Sequence, residues 1–155
     1  MPRQRLASRI LLINPSNQML LFKIRYRSGA LAGMCYWATP GGKLRAKESY
    51  EAAAIRELYE ETGIEVQSVG QCLAHKGFPW VMPDGEQVLA IEHYFVVRVH
   101  DVKLSNTSWS DQEREVVCEV RWWSEEELAA CRETVFPPEL ASLFAQALTR
   151  NLHLS

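Results

Sequence analysis

The sequence predicts an α/β fold, an α/β/α sandwich with a central mixed β-sheet. Runs of strand-forming residues recur along the chain, and a helix with both ends marked follows Ser49. The chain has 155 residues, 47% of them hydrophobic, which suits one domain spanning 1–155 with its own core.

Residues 7–14 and 18–25 read as two strands. Asn14-Pro15-Ser16-Asn17 between them is turn chemistry, so a hairpin is expected. The unbroken apolar run Leu20-Leu21-Phe22 suggests a strand covered on both faces. Residues 25–33 hold two arginines and two glycines and read as a loop. Arg25 and Arg27 could reach a phosphate there, against the plainer reading of solvent-facing arginines. Tyr36–Thr39 is a short strand leading into Pro40-Gly41-Gly42, where paired glycines let backbone approach a ligand.

The helix over 50–62 has Ser49 as N-cap, Glu51 in its first turn and Gly63 past its end. Ala54, Ile55, Leu58 and Thr62 recur at helical spacing and face a core. Further strands are expected over 64–74 and 87–100, with a loop over 75–85 between them. In that loop Phe78 or Trp80 could stack on a base, or the aromatics could simply pin the loop. Residues 101–111 read as loop, and 112–120 is ambiguous, since Val116-Val117 suggests strand and Glu113-Arg114-Glu115 does not. Arg121-Trp122-Trp123 ends a strand. Ser124 to Glu127 forms a capping box opening a short helix to about Cys131, and Pro137-Pro138 starts the last helix with Leu140, Phe144 and Leu148 on its buried side.

The chemistry concentrates in the helix after Ser49. Glu57, Glu60 and Glu61 stand at i, i+3 and i+4, so three carboxylates share one face and repel one another. A hard divalent cation such as Mg²⁺ reverses the sign of that interaction and is readily shared with substrate phosphates. An exposed acidic face is the alternative.

The wider spacing decides between them. Gly42, five residues, Glu48, seven residues, then Arg56-Glu57-apolar-any-Glu60-Glu61-any-Gly63-apolar fills every fixed position of one pattern. Chance gives such a match with probability on the order of 10⁻⁹ per starting position. The stretch Gly42 to Ile64 resembles the signature box of the Nudix hydrolases, and Trp37 to Gly42 and Arg121 to Ser124 also look similar to that family. The resemblance implies the Nudix-type α/β/α sandwich and a pyrophosphohydrolase that uses Mg²⁺ or Mn²⁺ to cleave a nucleoside diphosphate linked to another moiety.

It also implies Glu57, Glu60 and Glu61 as metal ligands, with a backbone carbonyl of Gly41 or Gly42 added. Arg56 positions the glutamates, and Glu48, at the helix entrance, could fold back onto Arg56. The general base is either a box glutamate or a later one. Glu113, Glu115 and Glu119 precede Arg121, and Glu113 and Glu119 are the preferred two, whereas Glu92 reads as a pairing partner. Two other activities are known on this fold: nucleotide sensing without catalysis, which an intact glutamate set argues against, and prenyl-diphosphate isomerisation, for which Cys35 or Cys72 would have to serve.

Composition narrows the partners. A net charge of −2 argues against binding a nucleic-acid polymer through a basic patch. The apolar run Ile10–Ile13 is too short for a signal-peptide core or a membrane span. Cys35, Cys72, Cys118 and Cys131 lack zinc spacing and are expected as reduced, mostly buried thiols in a cytoplasmic monomer or homodimer acting on a small-molecule nucleotide.

Overall fold

The computed structural model describes residues 2–100 and 103–150, so Asp101 and Val102, at the head of the expected loop, lie outside the described residues. The hairpin is present: β1 (Arg3–Ile13) turns into β2 (Met19–Arg25). The Asn14 side chain accepts from the N–H groups of Ser16 and Gln18 at 3.0 and 2.9 Å and closes the turn. Then come β3 (Cys35–Ala38), β4 (Gly41–Lys43), α1 (Tyr50–Thr62), β5 (Ala74–Val81) and β6 (Gln87–Arg98). The chain finishes with α2 (Asp111–Val116), β7 (Val117–Trp123), α3 (Glu125–Ala129), β8 (Val135–Phe136) and α4 (Leu140–Arg150).

The sheet runs β5-β6-β1-β2-β3-β8, with β4 added on β1 and β7 on β2. It is mixed, because β1–β6 and β3–β8 are parallel and the other pairs antiparallel. Strands β1 and β2 pair only at Ile13 and Met19. Beyond that point they part: β1 takes β4 at Ala7–Arg9 and β2 takes β7. This fork opens the cleft described below.

Alternation along the strands feeds two cores. Leu11, Ile13, Met19 and Leu21 pack under α3 and α4 with Leu128, Leu140 and Phe144. Ile10, Leu12, Leu20 and Phe22 pack against Ala54 and Leu58 of α1. The apolar runs Ile10–Ile13 and Leu20–Phe22 are unbroken because both sheet faces are covered. In α4, Leu140 and Phe144 are buried and Leu148 packs on the same core, but the helix begins at Leu140, after the two prolines.

Several expectations are corrected. Residues 64–73 form no strand. Gly70 adopts a positive φ of 68°, and Ile64, Val66 and Val69 pack down onto the α1-side core. The expected loop over 75–85 is mostly strand β5, in antiparallel register with β6 through Phe78–Ala90 and Trp80–Val88. Pro79 suits it because β5 is an edge strand, where a missing N–H breaks no ladder. The ambiguous 112–120 stretch divides into α2 and β7. All four cysteines are free, and none is fully buried; Cys118 is exposed.

Candidate active site

Helix α1 is fixed at both ends, which sets where its glutamates point. Ser49 Oγ accepts from the Ala52 N–H at 3.0 Å, and the Gly63 N–H, at φ 79°, donates to the Tyr59 carbonyl at 2.8 Å. Ala54, Leu58 and Thr62 are buried as predicted. Glu61 lies at the margin of that face, 8% exposed. Its backbone carbonyl accepts from Trp109 Nε1 at 2.8 Å, and its Oε1 accepts from the Gly41 N–H.

The glycines are required by contact. A Cβ on Gly41 would fall 2.1 Å from the Ser8 carbonyl oxygen, and its φ is 145°. A Cβ on Gly42 would lie 2.6 Å from the Glu57 carboxylate, so that carboxylate is pressed against bare backbone.

Arg56 organises the helix's acidic face. Its Nε and Nη2 hold both Glu48 oxygens at 2.8 Å, and Nη1 donates to Glu57 at 2.8 Å and Glu60 at 2.9 Å. Nη2 also donates to the Lys43 carbonyl at 3.0 Å. All five guanidinium donors are therefore used. The hydrogen bonds from Arg56 pull the Glu48 carboxyl down to about 2. Glu48 does fold back onto Arg56, as its place at the helix entrance allows.

Helix α2 delivers the third carboxylate. Ser110 and Glu113 form a capping box, with the Glu113 N–H donating to Ser110 Oγ at 3.1 Å and the Ser110 N–H to Glu113 Oε1 at 2.8 Å. Carboxylate oxygens of Glu57, Glu61 and Glu113 lie within 4.8 Å of one another. Burial, with the charges of Glu57 and Glu113 added, pushes Glu61 well above the ordinary carboxylate range; burial also raises Glu57.

These groups line one end of a cleft of about 770 Å³. Arg9 crosses its floor, paired with Glu92 at 3.1 Å, and Glu92 accepts from Tyr94 OH at 2.8 Å, so Glu92 is a pairing partner. The far end is aromatic. Trp80 meets Phe136 at 4.8 Å and Tyr36 at 5.8 Å between ring centroids, and Phe78 joins them.

A NUDIX domain family model matches residues 3–146. The chain belongs to the Nudix family. It is 33% identical over 87 residues to Phosphatase NudJ of Escherichia coli K12, a match covering 52% of this chain and 55% of that protein. The chain spans about half or less of the length of the curated relatives it matches. Among solved structures, the MutT protein of Methanosarcina mazei Go1 is 26% identical, with a TM-score of 0.64 and 97% and 96% of the two chains covered. The NUDIX domain of Shewanella oneidensis NrtR, solved with ADP ribose, shares the fold at 18% identity, with a TM-score of 0.60 and 97% and 90% covered.

Not every residue expected of the Nudix site converges. Glu60 lines the cleft but turns to Arg56 and Arg45, outside the three-carboxylate cluster. Glu119 is exposed on β7 opposite Lys23 and does not line the cleft. Arg25 and Arg27 do not line it either. Phe22 and Ile24 face the cleft, so Arg25 faces away, and the following loop is tied to the Pro83 carbonyl by the Ala30 N–H. Trp80 does line it, from a strand rather than a loop. Cys35 and Cys72, the residues an isomerase would need, are outside it. The Nudix box alone did not reveal the floor arginines. Their signal was alternation, since Arg3, Arg5 and Arg9 have odd numbers on one strand and so share a face.

Proposed function

We propose that this Nudix chain is a metal-dependent pyrophosphohydrolase acting on a nucleoside diphosphate linked to another group, by water attack at phosphorus. The observation that carries the reading is the convergence of Glu57, Glu61 and Glu113 at one end of a cleft whose other end is aromatic. The residues fit a divalent cation. Three carboxylates lie within 4.8 Å in a partly dry pocket that raises the Glu57 and Glu61 pKa values, and among the described residues their ion pair is that of Arg56 with Glu57. Mg²⁺ or Mn²⁺ held there supplies charge neutralisation of the pyrophosphate and polarisation of the attacking water.

The chain's own residues do the rest. Glu57 and Glu61 are the ligand set, with Glu60 able to join by exchanging its arginine partners and the Gly42 backbone against the Glu57 carboxylate. Arg56 and Glu48 hold Glu57 and Glu60 in register and touch no substrate. Glu113 takes the proton from water: its capping box holds it in place, and its carboxylate lies within 4.8 Å of those of Glu57 and Glu61; Glu119 plays no part. The aromatic end receives the flat part of the nucleotide, with Trp80 as one wall. Arg25 and Arg27 do not line the cleft and take no part in phosphate contact. Among the described residues no helix is long and apolar enough to cross a membrane.

A panel of nucleoside diphosphate derivatives, assayed with magnesium, manganese or chelator and with products separated by chromatography, tests the activity. Turnover is expected only with metal, and full activity in chelator overturns the reading. For the base, Glu113→Gln should lower turnover by about 10²–10⁴-fold, and Glu119→Gln by less than about tenfold.

A further inference from the structure

The cations around the cleft are paired, with two exceptions. Arg3 is held by Glu86, Arg9 by Glu92, Arg45 by Glu60 and Arg56 by three carboxylates. Lys43 and Arg5 have no ion pair or hydrogen bond from their side chains among the described residues, and Lys43 is exposed to water. Arg5 is half-buried, and its Nε is covered with no acceptor. Burial, with Arg9 adding repulsion and the Glu92 charge offsetting only part, holds Arg5 below the ordinary guanidinium range, although a guanidinium stays charged at any working pH.

Its position is also particular. Register places Arg5 beside Ala90, and Ala90 beside Phe78, so the guanidinium and the aromatic end share one sheet face. Arg9, next to Gly41 and the carboxylate end, lies four residues further along β1, about 13 Å away at strand rise. An unpaired cation in such a place is unfavourable when the cleft is empty. A neutral ligand would cover it and make matters worse. An anion would satisfy it, and flat rings alongside would exclude water and strengthen the pair.

We propose that Arg5 determines specificity: the cleft takes a nucleoside diphosphate derivative bearing a second anionic group, a phosphate monoester or a carboxylate, remote from the pyrophosphate and paired with this guanidinium. The inference rests on the pyrophosphohydrolase reading for where the pyrophosphate lies, but its test needs no turnover.

Calorimetry in metal-free buffer compares two ligand pairs, adenosine 2′,5′-bisphosphate with AMP, and UDP-glucuronate with UDP-glucose. Each pair differs by one anionic group, on the ribose or on the second moiety. At least one charged member should bind the original protein about tenfold or more tightly than its mate, and the pair that does so identifies which side carries the anion. In Arg5→Gln that ratio should fall to about one, and Arg5→Lys should restore part of it. Arg5→Gln should melt no lower than the original, because it removes an unsatisfied charge. Ratios near one for both pairs in the original protein, a preference that Arg5→Gln leaves intact, or a clearly lower melting temperature for Arg5→Gln would each overturn the assignment. A protein that hydrolyses nothing yet shows the Arg5-dependent ratio loses the enzymatic reading and keeps the anion site. Metal-dependent hydrolysis without the ratio does the reverse.

Discussion

Glu61→Gln is expected to stabilise the metal-free protein while abolishing turnover. Two unit charges 4.8 Å apart repel by about 3.5 kcal/mol at an effective dielectric of about 20, and Glu61 faces Glu57 and Glu113 at no more than that separation. Glu61 escapes part of this cost by keeping its proton, so the relief from removing the charge should be about 1–3 kcal/mol. The amide oxygen can still accept from the Gly41 N–H, which limits the structural loss. The pH dependence has a definite sign. Glu61 has a raised folded pKa, so its contribution is fully present below the ordinary carboxylate range and is lost as pH rises through the folded value. The variant lacks that loss, and the gap between the two proteins should widen from pH 4 to pH 8. At roughly 2–4 °C per kcal/mol for a chain of this size, the variant should melt about 2–12 °C higher at pH 8 in chelator. Magnesium at about a hundred times its Kd should add about 2.7 kcal/mol to the original protein and much less to the variant. Thermal melts of both, at pH 5 and 8, with chelator and with magnesium, decide it. A variant melting below the original at pH 8 in chelator would show that Glu61 is structural and that the repulsion argument fails.

Three further outcomes are expected. Arg56→Ala leaves Glu48 and Glu57, side chains only 15% and 13% exposed, without their cation. It should cost about 3–5 kcal/mol in urea unfolding, with Arg56→Lys recovering only part, because an ammonium cannot serve three carboxylates in a fork. Glu48 has a depressed folded pKa, so its contribution is present above the ordinary carboxylate value and lost as pH falls toward about 2. Stability measured from pH 6 down to 2 should therefore fall less steeply in Glu48→Gln. Gly42→Ala inserts a Cβ 2.6 Å from the Glu57 carboxylate and must displace it. Turnover and the magnesium-induced rise in melting temperature should both shrink, and an unchanged rise would remove Glu57 from the ligand set.

The sequence by itself determined the parts whose causes are local. Ser49 and Gly63 bound α1 because capping needs only neighbouring atoms, and the box spacing established the resemblance that the family model bears out. The hairpin and the doubly covered run Leu20–Phe22 were legible from turn chemistry and continuous apolar character. Tertiary structure decided what depends on which strands meet. Residues 74–81 carry a glycine and a proline that locally resemble a loop, and only the β6 edge makes them a strand. Helical spacing puts Glu57, Glu60 and Glu61 on one face, but cannot say that Arg45 and Arg56 take Glu60 while Glu113 joins the others. Between Glu113 and Glu119 the sequence offered no choice, since each is a glutamate shortly before Arg121. The Ser110 capping box turns one toward the cluster, and the β7 ladder leaves the other in solvent. Nothing in the sequence singles out Arg5; parallel pairing of β1 with β6 lays it on the face that bears the aromatic end, because burial and partnership belong to the assembled sheet and not to the residue.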